Sequence, residues 1–318
     1  MGRTGLGSHA CDIQRSERIA MNSGYVVLGE RGLIGLRGDD ARALLQGVIS
    51  TDIERVTAAS ASYGALLTPQ GKYLFDFVIV QSGDTLLLDT ERARVPDLMR
   101  RLMMYRLRAK VEIEDQSERY QVAALLGDKV AARLDLPERP GAARATHDGV
   151  LLIDPRLMQL GGRAVLPRDR AAQVLEQMGF LPSPPAVYEQ ARLMLGVPDG
   201  SRDLVIDRST LLESGFDELH GVDFKKGCFV GQELTARMKY RGLVRKRLMP
   251  VELDGPTPPP GTQILLDGKD AGEMRSSADG HGLALLRLEQ VARATEQGRP
   301  LLAEATRVIP HKPDWVSF

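Results

Sequence analysis

Cysteine is nearly absent from this chain of 318 residues: Cys11 and Cys228 are too few for a disulfide framework, and too few to hold a zinc ion or an iron–sulfur cluster unaided. A reducing compartment follows, and the cytoplasm is the expected location. Histidine is scarce as well, five residues without metal-ligand spacing, so no metal site is expected. No run of about 18 apolar residues occurs, and the opening MGRTGLGSHACDIQRSERIA lacks the apolar stretch of a secretory signal; no membrane partner is expected. Net charge is missing too, with 42 basic side chains against 42 acidic ones. That argues against a histone-like or membrane-surface protein and leaves only local patches to consider. No Walker loop is present, and GLGSHA is too weak a glycine pattern to count.

What is present reads as α+β. Residues 1–22 are polar and aperiodic and read as a disordered extension, with Met21 a second candidate start. From Gly24, GYVVLGERGLIGLRG reads as a hairpin turning at Glu30-Arg31-Gly32, and Asp39 or Asp40 as the cap of the helix DDARALLQGVI. An antiparallel meander YGALLT, YLFDFVIV and TLLLD follows, then the helix VPDLMRRLMMYRL and the strand AKVEIED. Residues 119–180 repeat this style more loosely, PSPP at 182–185 breaks it, and after the helix YEQARLMLGV a long irregular stretch reaches KKGC. From Leu243 onward short, closely spaced strands broken by PTPPPG read as a small β-barrel. The division is therefore 1–22, a domain over 23–243, and a barrel over 244–318.

Cys228 follows Lys225 and Lys226, just before a helix expected over 231–241 and closed by Gly242. Cations and a helix start both favour thiolate; an inert buried cysteine is the plain alternative. Asp76 lies inside LFDFVIV, where strict alternation puts it on the face of Leu74 and Val78. An acid there is either an acceptor for a ligand or half of a structural ion pair. Two basic clusters, RRLMMYRLRAK at 100–110 and RMKYRGLVRKR at 237–247, each hold a tyrosine among cations. They read as solvated faces, or as an anion site for RNA phosphates or a polycarboxylate tail; RNP-type aromatic motifs are absent.

The stretch FKKGCFVGQELTARMKYRG resembles the signature of the YgfZ-type folate-binding proteins, Lys-Gly-Cys-aromatic-x-Gly-Gln-Glu. Lys226, Gly227, Cys228, Phe229, Gly231, Gln232 and Glu233 occupy its positions. LRGDDARALLQGVISTDI, LLTPQGKYLFDFVIV, ARLMLGVPDGSRDL and AGEMRSSADGHGLALLRLE resemble the same family, so the likeness spans residues 24–310. It implies the fold of the aminomethyltransferase (T-protein) of glycine cleavage: α+β subdomains around a central folate channel, plus a C-terminal β-barrel. It implies tetrahydrofolate or a derivative, with Asp76 and Arg192 as folate contacts. Gln232 and Glu233 would cap the helix or shape the channel mouth, and Glu213 of LLESG is either a further cofactor contact or a surface carboxylate.

The same resemblance implies a role in assembling or repairing iron–sulfur clusters in client enzymes, tRNA-modifying ones included. Cys228 would be the thiolate, poised by Lys226, and the cluster would be shared with a partner. A contact with tRNA itself stays open on the basic clusters. If the protein is an enzyme, a folate-dependent one-carbon transfer is the expected reaction. Two rivals stand beside this reading, a true aminomethyltransferase and a tRNA-binding accessory without chemistry. Against the first, the transferase's paired acids are here Phe75 and Asp76, and the acid expected after its arginine is Met194, beside Arg192. Its Gly-Tyr-Thr-Gly-Glu segment has no counterpart.

Overall fold

Successive strands of the N-terminal domain are dealt out to two different sheets. The computed structural model describes residues 23–146 and 148–317; the expected N-terminal extension and Cys11 lie outside them. β1 (Gly24–Val27) joins one sheet and β2 (Arg31–Arg37) the other. After α1 (Ala41–Val48) come the meander β3 (Ser62–Leu67), β4 (Tyr73–Ser82) and β5 (Thr85–Glu91), then α2 (Val95–Arg106) and β6 (Glu112–Asp115). β7 (Tyr120–Leu126) returns to the sheet of β1, followed by α3 (Val130–Arg133), β8 (Ala143–Ala145), β9 (Val150–Ile153), β10 (Gly162–Pro167), α4 (Ala171–Gln177) and β11 (Leu181–Pro182). The strand orders are β11-β1-β7-β10-β9-β8 and β3-β4-β5-β2-β6.

The hairpin expected at Glu30-Arg31-Gly32 does not form. The chain turns there, but β1 pairs with β7 while β2 pairs with β5 and β6. A turn signal encodes a change of direction; pairing is settled by burial, and Tyr25 and Val26 of β1 enter cores on opposite faces of the β7 sheet. The expected cap also differs. Asp40 stands at the N-cap of α1, yet its carboxylate accepts the backbone N–H of Lys110 at 2.8 Å and none from the helix.

Four layers result. α1 and α2 cover the β4 sheet through Leu45, Val48, Leu98 and Leu102, spaced three or four residues apart on each helix. α3 and α4 cover the β7 sheet through Val130, Ala171 and Leu175. The inner faces meet in a core containing Val26, Tyr63, Val78, Val80, Val122 and Leu152.

α5 (Pro185–Leu195), α6 (Gly200–Asp203) and α7 (Gln232–Arg241) lead to the barrel, with Pro at the first turn of α5 and glycines at both ends of α7. The barrel consists of β12 (Lys246–Asp254), β13 (Gln263–Leu266), β14 (Lys269–Ala278), β15 (His281–Arg287), α8 (Leu288–Gln297), β16 (Leu301–Ala303) and β17 (Thr306–Pro310). It closes in the order β12-β15-β14-β13-β16-β17 around Met249, Val251, Met274 and Leu286. Leu248 and Leu283 also reach the inter-sheet core, and Trp315 Nε1 donates to Leu195 O at 2.7 Å, so barrel and first domain share packing.

Candidate functional site

Asp76 projects from β4 into the space between the sheets and is 4% exposed. A register shift between Leu66 and Leu67 of β3 breaks the strict alternation expected around it. Tyr73 therefore shares the inter-sheet face with Val78, while Leu74 turns to the helix-facing core. Each carboxylate oxygen meets a phenol: Tyr73 donates to Oδ1 at 2.8 Å and Tyr63 to Oδ2 at 2.9 Å. Burial raises the pKa of Asp76 above the usual carboxylate value, against the lowering pull of Arg31 and of both phenols. Burial and the neighbouring carboxylate also hold the two tyrosines well above the ordinary phenol range. α6 closes over the group at Gly200, where a Cβ would stand 3.6 Å from Oδ1. Phe75 faces the other way, into the helix-facing core, with the Arg94 guanidinium 4.1 Å from its ring centre.

A ladder of buried charges surrounds this acid, and sequence reasoning missed it. Arg31 bonds Asp89 at 2.7 Å and lies 3.6 Å from Asp199. Arg163 bridges Asp89 (2.6 Å) to Asp154 (3.2 Å), and Arg156 bonds Asp154 at 2.8 Å and Tyr188 at 3.0 Å. The ladder thus crosses from β2 and β5 to β10 of the opposite sheet, so the two sheets are joined by charge as well as by apolar contact. Burial opposes ionisation of Asp199, but Arg31, Arg192 and Arg202 override it and hold its pKa at about 2. The signal was there in the same form as for Asp76: single charges in TLLLD, VLLID and GRAVLP.

The Lys-Gly-Cys loop is anchored at both ends. Lys226 Nζ donates to the carbonyls of Ile49 (2.8 Å) and Thr51 (2.7 Å), just beyond the end of α1. Asp223 Oδ1 accepts the backbone N–H groups of Lys225 and Lys226 at 2.7 and 3.3 Å. Burial pushes the ammonium down to about 8, against the raising pull of Asp52 and Asp223. The cation expected to poise the thiol is thus committed to holding the loop. At the far end Gly231 has φ 82°, and a Cβ there would stand 2.5 Å from Thr68 O and 3.0 Å from Gly71 Cα. The Gly-Gln-Glu glycine and the Thr-Pro-Gln-Gly turn therefore pack backbone against backbone. Between these anchors Phe229 enters the inter-sheet core, Gly227 has open space where a Cβ would be, and Cys228 is exposed.

The other expected contacts are distributed more widely. Gly231, not a side chain of Gln232 or Glu233, caps α7: Gln232 is half-buried, and Glu233 is exposed and pairs with Arg237 at 2.6 Å. Glu213 accepts the Thr210 hydroxyl at 2.8 Å. Arg192 is fully buried, and its guanidinium donates to Glu189, Asp203, Ser276 and the Val197 carbonyl. Those bonds occupy all five of its N–H donors, so none remains for a ligand.

Tyr63 links the acid to the loop. Its hydroxyl holds Asp76, its ring lies 5.0 Å from that of Phe216, and at Gly221, at the head of the loop, a Cβ would stand only 3.0 Å from the same ring. Ser50 ties the segment down by donating to the Gly221 carbonyl at 2.6 Å. The arrangement thus offers a buried acid that gains a proton readily and, on a rigid loop, an accessible thiol.

Known proteins share this architecture. Residues 245–318 match the family described as CAF17, C-terminal beta-barrel domain. The human mitochondrial iron–sulfur cluster assembly factor IBA57 is 32% identical over 315 residues, covering 91% of this chain and 84% of its own length. The mitochondrial IBA57 homolog of Mycosarcoma maydis is also 32% identical, over 83% of this chain and 73% of its own. The crystal structure of the glycine cleavage system aminomethyltransferase T from Bartonella henselae superposes with a TM-score of 0.73 over 93% of this chain and 86% of its own, at 15% identity. That likeness establishes the expected α+β fold with its C-terminal barrel. Both IBA57 relatives are named mitochondrial, so they lend the cytoplasmic expectation no support. Among the described residues no helix is long and apolar enough to cross a membrane.

Proposed function

This chain belongs to the family of the IBA57 iron–sulfur cluster assembly factors, and from that membership we propose that it supports assembly or repair of iron–sulfur clusters in client enzymes, tRNA-modifying enzymes among them, through Cys228. Membership also corrects the finer resemblance read from the Lys-Gly-Cys motif: the YgfZ-type proteins are a related but different branch.

The observation that carries this reading is an exposed thiol on a loop fixed by Lys226 at one end and Gly231 at the other. An iron–sulfur cluster normally takes four protein ligands. Among the described residues Cys228 is the free cysteine, and no group of three His, Cys, Asp or Glu side chains is placed to hold a metal ion. A cluster meeting Cys228 would complete its coordination on a partner and pass through as cargo. A loop already ordered spares the complex the entropy of ordering it.

Tetrahydrofolate or a derivative enters the proposal through Asp76. Its carboxylate has acceptor sites beyond the two that the phenols use, and its raised pKa suits proton exchange with a ring nitrogen. Arg192 does not fit as a contact, because its donors are all engaged; it positions α5, α6 and the barrel instead. Bound folate would supply a one-carbon unit. Lys226 holds the loop that carries the thiol.

The test is complementation in cells lacking the native protein, paired with calorimetric titration by tetrahydrofolate. Cys228→Ser is expected to abolish rescue of cluster-enzyme activity and leave the titration unchanged, while Asp76→Ala loses the titration. Full rescue by Cys228→Ser would overturn the role of the thiol, and a wild type that does not bind tetrahydrofolate would remove folate from the reading.

A further inference from the structure

The balanced total charge conceals an uneven distribution. α2 buries Val95, Leu98 and Leu102, yet its last turn carries a second apolar face: Met103, Met104 and Leu107 are 49%, 63% and 86% exposed. Leu107 has φ 46°, a backbone conformation disfavoured for any side chain. Around these three stand Arg101, Arg106, Arg108 and Lys110, whose side chains meet no carboxylate among the described residues; Arg100 alone in this cluster is paired, with Asp97 at 2.9 Å. In the second basic cluster Arg237, Lys239 and Arg247 have Glu233, Asp217 and Glu218 as partners, and only Arg241, Arg245 and Lys246 meet no carboxylate among the described residues. Beside the tip a hollow of about 440 Å³ is lined by Arg37, Asp39, Arg106, Lys110 and Glu112, leaving room for a phosphate headgroup against Arg106 and Lys110.

Protruding apolar side chains ringed by unpaired cations call for a partner with an apolar interior and an anionic face. Three side chains on one helical turn fall well short of the roughly 800 Å² per partner that a stable protein interface buries. Single-stranded RNA would use the cations and stack on aromatic rings, leaving the methionines and Leu107 without purpose. An anionic bilayer satisfies both parts. We propose that Met103, Met104 and Leu107, with Arg101, Arg106, Arg108 and Lys110, dock the protein peripherally on an anionic phospholipid surface. The apolar chains enter the headgroup boundary and the cations meet the phosphates. None of these residues belongs to the Asp76 cluster or the Cys228 loop, so this surface stands or falls apart from the proposed function.

Sedimentation of the whole protein with vesicles tests it, using phosphatidylcholine alone and phosphatidylcholine mixed with phosphatidylglycerol. Binding is expected only to the anionic vesicles, and it should weaken steeply with added salt. Combined Arg101→Glu, Arg106→Glu and Arg108→Glu should reduce partitioning at least about a hundredfold. Combined Met104→Ser and Leu107→Ser, which leave the charge unchanged, should reduce it about tenfold or more. Arg101 is half-buried and the other side chains are exposed, and none has a carboxylate partner to lose, so thermal melting of both variants should match the wild type, which separates lost docking from lost folding. Absence of binding to anionic vesicles, equal binding to neutral ones, or wild-type binding by the serine variant would overturn the proposal. So would a tip that binds tRNA and ignores vesicles.

Discussion

Because burial raises the pKa of Asp76, the folded chain keeps that proton to a higher pH than the unfolded chain does. As pH rises through the window above the ordinary carboxylate value, Asp76 therefore subtracts stability, and the subtraction is complete once the folded group has ionised. Asp76→Asn removes the titration and keeps both contacts, since an amide can accept from one phenol and donate to the other. The variant is expected to melt roughly 2–4 °C above the wild type near neutral pH, as about 1 kcal/mol would produce. The gain should shrink in acid, where both states carry the proton. Calorimetry across pH checks this; a gain equal at every pH would mean that ionisation is not its source.

Gly231 and Gly227 lie in one loop yet should respond oppositely to a methyl group. Gly231→Ala would drive a Cβ to 2.5 Å from Thr68 O at a positive φ, whereas Gly227→Ala meets nothing within 4 Å. The first is expected to cost more than about 1 kcal/mol and to speed hydrogen exchange through residues 225–231; the second should change neither. Equal loosening by both would show that backbone contact does not fix the loop. Such contacts mark the limit of what the sequence discloses. α1, α2 and the meander were legible because their apolar spacing is local, and Asp76 because one acid interrupts an apolar strand. Its partners were hidden by a register shift that moves Tyr73 onto its face, and β1 by pairing with β7 across the intervening sheet. The work of Lys226 was hidden too, since its acceptors are main-chain carbonyls from residues far away in sequence. In the barrel α8, β16 and β17 leave only a faint sequence signal, because the later strands are short and follow a helix.

Across the whole molecule, Arg192 of α5 and Asp203 of α6 meet Ser276 of β14, so one buried ion pair helps to lock the barrel onto the first domain. Arg192→Met would leave Asp203 buried without its cation, at an expected cost of about 3–5 kcal/mol. Calorimetry should then resolve two melting transitions where the wild type gives one. A single transition displaced by less than about 1 kcal/mol would show that Trp315 and the apolar contacts couple the two units by themselves. The crossing of β1 and β2 between sheets has a consequence in time. The β2–β6 sheet is complete once residue 115 has emerged from the ribosome, but Gly24 pairs with Leu126 and with Leu181. At ordinary elongation speeds β1 waits roughly ten to thirty seconds for its later neighbour. The first of the described strands is thus satisfied only with the last strand of its own sheet, and during synthesis it is a segment in need of a temporary cover.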